Sequence, residues 1–252
     1  MKRMMIFGML LLASACTTTN DTADKPVNDK LEANEDFETK VRRHVEGQLT
    51  IPRKEKYTLT IHREQLDGDG KLDGIIAVNR LEFALEEAKE SDKTAKRAEI
   101  GFMGSYNYFF YYDGASNKLS APIKLPSSPY APLVVNFENI TSEDYKDILI
   151  DYRVLSASYK DFYTIANRVP RRIFQWKNFD GLGKSTYEAY VFEYDKGTMV
   201  ESRDIIVRKA SLQQPSGETD IYTFQPALTP TNEIAYRFFV HPAHGKYVTM
   251  KQ

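Results

Sequence analysis

Hydrophobic positions along the chain change period early. Phe37, Val41 and Val45 recur every four residues, with Leu49 next and Glu35, Asp36 and Glu38 in front. An apolar stripe at that spacing, with acidic groups at the positive end of the helix dipole, predicts an amphipathic helix over 35–48. Asn34 is the expected N-cap, and Gly47 and Pro52 the expected stop. From Tyr57 the period falls to two. Tyr57, Leu59 and Ile61 alternate with Thr58, Thr60 and His62, the pattern of a strand with one buried face. Gly74 to Val78 is a β-branched apolar run and predicts a strand, and Tyr106 to Tyr112, apolar on both faces, predicts an interior strand. The second turns at Asp113-Gly114 and returns over 118–125. Between them, residues 81–98 are rich in Glu, Lys and Ala, with Leu81, Leu85 and Ala88 on one face, and predict an exposed helical insert.

The pattern then repeats. Pro126, Pro129 and Pro132 punctuate a stiff link, after which an offset of 74 matches Leu66 with Ile140, Asp69 with Glu143, Asp73 with Asp147 and Ile75-Ile76 with Leu149-Ile150. Phe110 to Asp113 finds an echo in Phe192 to Asp195 at an offset of 82. Internal repetition implies units that bury one another's apolar faces. The expected fold is mainly β, with two antiparallel units at about 53–125 and 130–210, as stacked sheets or a partial propeller. The N-terminal helix, the helical insert and a C-terminal hairpin within 218–252 complete a single domain over 34–252.

The densest chemistry lies between the first two strands, in Gln65-Leu66-Asp67-Gly68-Asp69-Gly70-Lys71-Leu72-Asp73-Gly74. Carboxylates at 67, 69 and 73 repel one another unless screened, and alternating Asp residues in a glycine-kinked loop supply oxygens to a hard cation. This is not an EF-hand, because the twelfth position counted from Gln65 is Ile76 rather than Glu. The loop and the apolar strand after it resemble the calcium loops of FG-GAP and VCBS-type repeats. The resemblance implies a calcium held by Gln65, Asp67, Asp69 and Asp73 through side-chain oxygens and by Lys71 through its carbonyl. The equivalent second loop has Asn139, Glu143, Asp144 and Asp147 but neither glycine. It is expected to keep the turn and lose the metal.

The N-terminus predicts an address. Met1-Lys2-Arg3 is basic, Met4 to Leu12 apolar, and Ala13-Ser14-Ala15 leads into Cys16, the only cysteine in 252 residues. Such an apolar core is a signal segment, too short to span a bilayer. The arrangement resembles the lipobox of bacterial lipoproteins, which implies cleavage after residue 15 and a lipid on Cys16. Thr17, with no Asp following the cysteine, implies the outer membrane by the same resemblance. Residues 16–33 are polar and predict a flexible tether with a span of about 25 Å. Within it Asp21-Thr22-Ala23 resembles the O-glycosylation site of Bacteroidota, which marks Thr22. Cleavage moves the formal net charge from −1 to −3. That near balance, without a basic cluster, argues against a nucleic-acid partner.

Together these features resemble Bacteroidota-type lipoproteins carrying degenerate FG-GAP/VCBS-like units. The chain contains no Gly-x-Ser-x-Gly elbow, no phosphate-binding glycine loop and no His-Glu-x-x-His. The expected function is therefore a lipid-anchored binding or scaffold module at the cell envelope, facing another envelope protein or glycan. An envelope glycan hydrolase is the alternative, which requires two carboxyls facing across a cleft.

Overall fold

The computed structural model describes residues 36–90 and 104–249. The expected signal segment, Cys16, the tether with Thr22 and residues 91–98 of the helical insert lie outside the described residues.

The protein is mainly β, built from two antiparallel sheets with two helices among the described residues. The first sheet contains β1 (Thr58–Glu64), β2 (Asp73–Asn79) and β3 (Asn107–Asp113), with β4 (Lys118–Leu119) and β5 (Ile123–Lys124) both pairing β3. The second runs through β6 (Val134–Glu138), β7 (Asp147–Val154), β8 (Ala157–Ala166) and β9 (Val169–Asp180). It continues through β10 (Glu188–Asp195), β11 (Asp204–Leu212), β12 (Leu228–His241) and β13 (Lys246–Thr249). Only two register pairs, Asp180 with Glu188 and Phe179 with Ala189, join β9 to β10. The eight strands thus behave as two groups of four, β6–β9 and β10–β13.

Alternation along the strands builds the core in layers. Ile75, Ala77, Phe109 and Tyr111 point from the first sheet onto Ile148, Ile150, Tyr163 and Ile165 of β7 and β8. Their neighbours Ile76, Val78, Phe110 and Tyr112 point the other way, onto Val41 and Val45 of α1 (Phe37–Leu49). Leu149 and Phe162, on the far face of β7 and β8, pack against Ile205, Val207 and Phe238 of the last group. The order of layers is helix, first sheet, β6–β9 and β10–β13, the last two being halves of the second sheet. Each fully buried Phe or Ile contributes roughly 1.5–3 kcal/mol, and the strands covered on both faces are the apolar runs expected from sequence. The stack ends differently at its two sides. The helix closes one side, whereas the outer face of the last group carries ion pairs, Arg208 with Glu193 at 2.8 Å and Arg237 with Asp195 at 3.1 Å. Stacked repeats need such polar or amphipathic terminal caps.

Several local expectations change. The N-cap of α1 is Asp36 rather than Asn34, because Asp36 Oδ1 accepts from the amides of Glu38 at 3.0 Å and Thr39 at 3.2 Å. The helix runs through Gly47 and stops at Thr50, whose φ is 50°. The helical insert is observed as α2 over Leu81–Glu90. Phe110–Asp113 and Phe192–Asp195 are not equivalent: Asp113 ends the third strand of its group, and Asp195 ends the first strand of the last group. Two buried asparagines, more than proline stiffness, fix the link over 126–132. Asn79 Nδ2 donates to the Pro129 carbonyl at 2.8 Å, and Asn107 Nδ2 to Ser127 Oγ at 2.9 Å and the Ser128 carbonyl at 3.1 Å.

Candidate functional site

Two features could carry function: a row of loops along one edge, and a cleft between β6–β9 and β10–β13. The row arises from a repeated hairpin. Loops 65–72, 139–146 and 196–203 each contain eight residues and close onto an Asp that opens the next strand, Asp73, Asp147 or Asp204. Each Asp sits opposite another acid in register, Glu64, Glu138 or Asp195. All three aspartates are buried and turn back to hold their own loops. Asp73 accepts from the Leu66 amide at 3.2 Å and the Gly114 amide at 2.9 Å. Asp147 accepts from the amides of Ile140 at 3.0 Å and Thr141 at 2.6 Å, and from the Thr141 hydroxyl at 2.8 Å. Asp204 accepts from the amide of Thr198 at 3.2 Å and from its hydroxyl at 3.0 Å. Neighbouring loops are joined, since the Lys146 amide donates to the Gln65 carbonyl at 2.9 Å and the Arg203 amide to the Ile140 carbonyl at 2.7 Å.

The third loop escaped the sequence reading, although its signal is present. An acid, eight residues, an Asp and then an apolar run occur at 195–207 as they do at 64–76 and 138–150. Lys196 to Arg203 contains a single carboxylate, Glu201, and so lacks the acidic pattern that marks the first two loops.

The first loop keeps its acidic residues close but gives them separate tasks. Asp67 Oδ1 accepts from the Asp69 amide at 3.0 Å and Asp69 Oδ1 from the Lys71 amide at 2.7 Å, two successive Asx turns, while Gly70 takes a φ of 73°. Asp73 is a clamp on the backbone, and the Gln65 carbonyl is occupied by Lys146. Burial raises the Asp67 carboxyl above its ordinary range, and the charge of Asp69 adds to that shift. Burial also raises Asp73. Among the described residues, no group of three or more His, Cys, Asp or Glu side chains is arranged to hold a metal ion. As folded, Asp67 and Asp69 cap turns inside the loop, whereas Asp73 is committed to the Leu66 and Gly114 amides.

The cleft follows from a break in strand pattern. On the side of β7 facing the last group, Leu149 is followed by Asp151 and Arg153 rather than by further aliphatic residues. Charged positions there cannot close onto apolar neighbours, and an open cavity of about 580 Å³ remains between the groups. One wall is polar: Asn136 and Glu138 from β6, Asp151, Ser158, Lys160 and Asn178. The facing strand β10 presents Tyr190, Phe192 and Tyr194. Residues Gln225, Pro226 and Leu228 form part of the rim.

The polar wall is partly tied together. Asp151 takes the Lys160 ammonium at 2.8 Å and the Asn178 amide at 2.9 Å, and Asn178 also reaches Ser158 Oγ at 3.0 Å. Lys160 lies 5.8 Å above the Phe192 ring, in cation–π range. Burial raises the Tyr194 phenol, and the negative charges of Glu138 and Asp151 raise it further. Glu138 makes no ion pair or hydrogen bond through its carboxylate among the described residues. Of these residues only the strand positions were legible in the sequence; the interruption of an apolar strand by Asp151 and Arg153 was the available signal for the cleft. At the turn between β12 and β13, the His241 and His244 rings lie 4.7 Å apart and His241 Nδ1 accepts the Ala243 amide, a turn contact.

No family model, curated protein or solved structure matches the chain.

Proposed function

We propose that the protein is a lipid-anchored, non-enzymatic binding module of the bacterial cell envelope, and that glycan is the ligand of the cleft between β6–β9 and β10–β13. The observation that carries this reading is the contrast between the cleft's walls. A sugar ring offers apolar C–H faces and hydroxyl edges. Tyr190, Phe192 and Tyr194 supply a surface for the former, while Asn136, Ser158, Asn178 and the Asp151–Lys160 pair supply partners for the latter. A cavity of about 580 Å³ lies within the usual size range of small-molecule sites. Glu138 and Asp151 are two carboxylates in one cleft, as a hydrolase would need, but Lys160 and Asn178 already occupy Asp151. That arrangement favours holding a ligand over transferring a proton.

The position of the cleft supports presentation from a membrane. The chain enters through α1, and two sheets separate that helix from the cleft, a distance on the order of 20 Å at about 10 Å per packed layer. A lipid on Cys16 and the tether over 16–33 would lie on the helix side, at the outer membrane. Calcium enters this proposal as a weak ligand of the first loop. Asp67, Asp69, the Lys71 carbonyl, the Gln65 amide and water would hold it, with Asp73 remaining on its backbone donors. Burial raises the Asp67 carboxyl and the charge of Asp69 adds to it, and a cation would relieve that second contribution.

The test is calorimetric titration of the mature domain with polysaccharide released from the envelope of its own cell. Binding should weaken at least tenfold in Phe192→Ala and remain unchanged in Asp144→Ala, on the loop edge. Equal binding by both variants and the parent would place the ligand elsewhere and overturn the proposal.

A further inference from the structure

Arg153 lines the cleft and is only 7% exposed, yet it has no carboxylate partner among the described residues. Its guanidinium donates to three backbone carbonyls, Phe224 at 2.9 Å and Leu155 and Ile221 at 3.1 Å each. The Nε–H has no acceptor. Phe179 lies beneath the charge, 5.2 Å from ring centroid to Cζ. Carbonyl dipoles orient the fork without neutralising it, and burial lowers the pKa of this arginine. A buried cation lacking a counter-ion is costly. The other charges of the cleft do not cancel it. Lys160 and Asp151 neutralise one another at 2.8 Å. Glu138 stands in register with Asp147, whereas Arg153 stands in register with Ser158. Six strand positions along β7 therefore separate the two ends, roughly 20 Å. The cleft is acidic toward the loops and basic toward its 225–228 rim.

We infer that the ligand of this cleft is an anionic saccharide, whose carboxylate or sulfate group lies at the Arg153 end and supplies the missing counter-ion. The inference rests on the glycan reading above and narrows it. Sugar rings would lie along Tyr190 and Phe192, and the acidic substituent would lie against the Arg153 guanidinium under the rim. Glu138 disfavours the reverse orientation, because an anion there would face an uncompensated carboxylate. Neutral glycans would leave Arg153 as costly as it is in the free protein. With both Nη2 protons on the Leu155 and Ile221 carbonyls, the guanidinium meets the anion as a charge with single hydrogen bonds, which carboxylate and sulfate oxygens accept alike.

The experiment uses a printed array of uronate-containing and sulfated glycans, each beside its methyl-esterified or desulfated counterpart, probed with the mature domain. Retention of charged members at least tenfold above their neutral counterparts is the expected result. Whichever charged series is retained identifies the anion as carboxylate or sulfate. In Arg153→Gln, checked for native circular dichroism, the preference should disappear. Because Arg153 also holds the 221–224 backbone, the ester comparison on the unaltered protein stands as a separate arm. Equal retention of charged and neutral members would overturn the anion inference and leave the glycan cleft intact. A preference that persists in folded Arg153→Gln would overturn the role of Arg153. Retention of no glycan at all would overturn both readings.

Discussion

Replacing Asp147 with alanine should be far more damaging than replacing any acid on the exposed part of the same loop. Its carboxylate is fully buried and accepts from two amides, Ile140 and Thr141, and from the Thr141 hydroxyl. Alanine leaves both amides without their acceptor, at about 1–3 kcal/mol for each unsatisfied buried group. Relief from burying a carboxylate offsets part of this, since burial raises the Asp147 pKa despite its three donors. A net loss of about 2–4 kcal/mol follows, equivalent to a fall in Tm of roughly 5–15 °C for a domain of this size. Asp144, exposed on the same loop, should cost less than about 0.5 kcal/mol when changed to alanine. Urea unfolding followed by the single tryptophan, Trp176, measures both, because that ring sits in the aromatic cluster with Phe174 and Phe238 beside this loop. If Asp147→Ala unfolds within 0.5 kcal/mol of Asp144→Ala, the buried aspartate is not what holds the hairpin, and the common logic of the three loops fails.

Other outcomes follow from the same structure. Burial raises the folded-state pKa of Asp147 above its unfolded value of about 3.9, so the native protein binds that proton more tightly. Its contribution is fully present below the unfolded pKa and is lost as pH rises through the folded pKa. Relative to Asp147→Asn, the parent should therefore lose stability as pH rises through that window, and a gain would contradict the direction. Calcium at ten times its dissociation constant should add about 1.4 kcal/mol, a shift of a few degrees in Tm that disappears in Asp69→Ala; identical melts in calcium and chelator would remove calcium from the proposal. Changing Cys16 to Ser should move the protein out of the detergent phase, and palmitate labelling of that variant would contradict lipidation at Cys16.

The sequence exposed the layers better than the cleft. Apolar runs at 75–78 and 106–112 are the strands at the centre of the first sheet, and α1 supplies the cover on one face while β7 and β8 supply it on the other. Acidic residues in the first loop were equally visible, but their separate tasks were not. Distinguishing Asp73, a backbone clamp, from Asp67 and Asp69, which cap turns, requires the amides of Leu66 and Gly114. Gly114 is 41 positions from Asp73 and is set beside it by the pairing of β2 with β3. The cleft was harder still. Tyr190 and Phe192 meet Asp151 and Lys160 only because β10 crosses to the face of β7 and β8, and no local pattern around 190 encodes that encounter. Arg153 likewise depends on a segment near 221–224 that returns across some seventy residues.

The most direct measurement is the map of side-chain chemical shifts when the mature domain is titrated with envelope glycan. Aromatic resonances of Tyr190, Phe192 and Tyr194 should move together, along with the amide groups of Asn136 and Asn178. Loops 65–72, 139–146 and 196–203 should remain still. Shifts confined to those loops, or to the outer face carrying Arg208 and Arg237, would contradict a ligand held between the sheets.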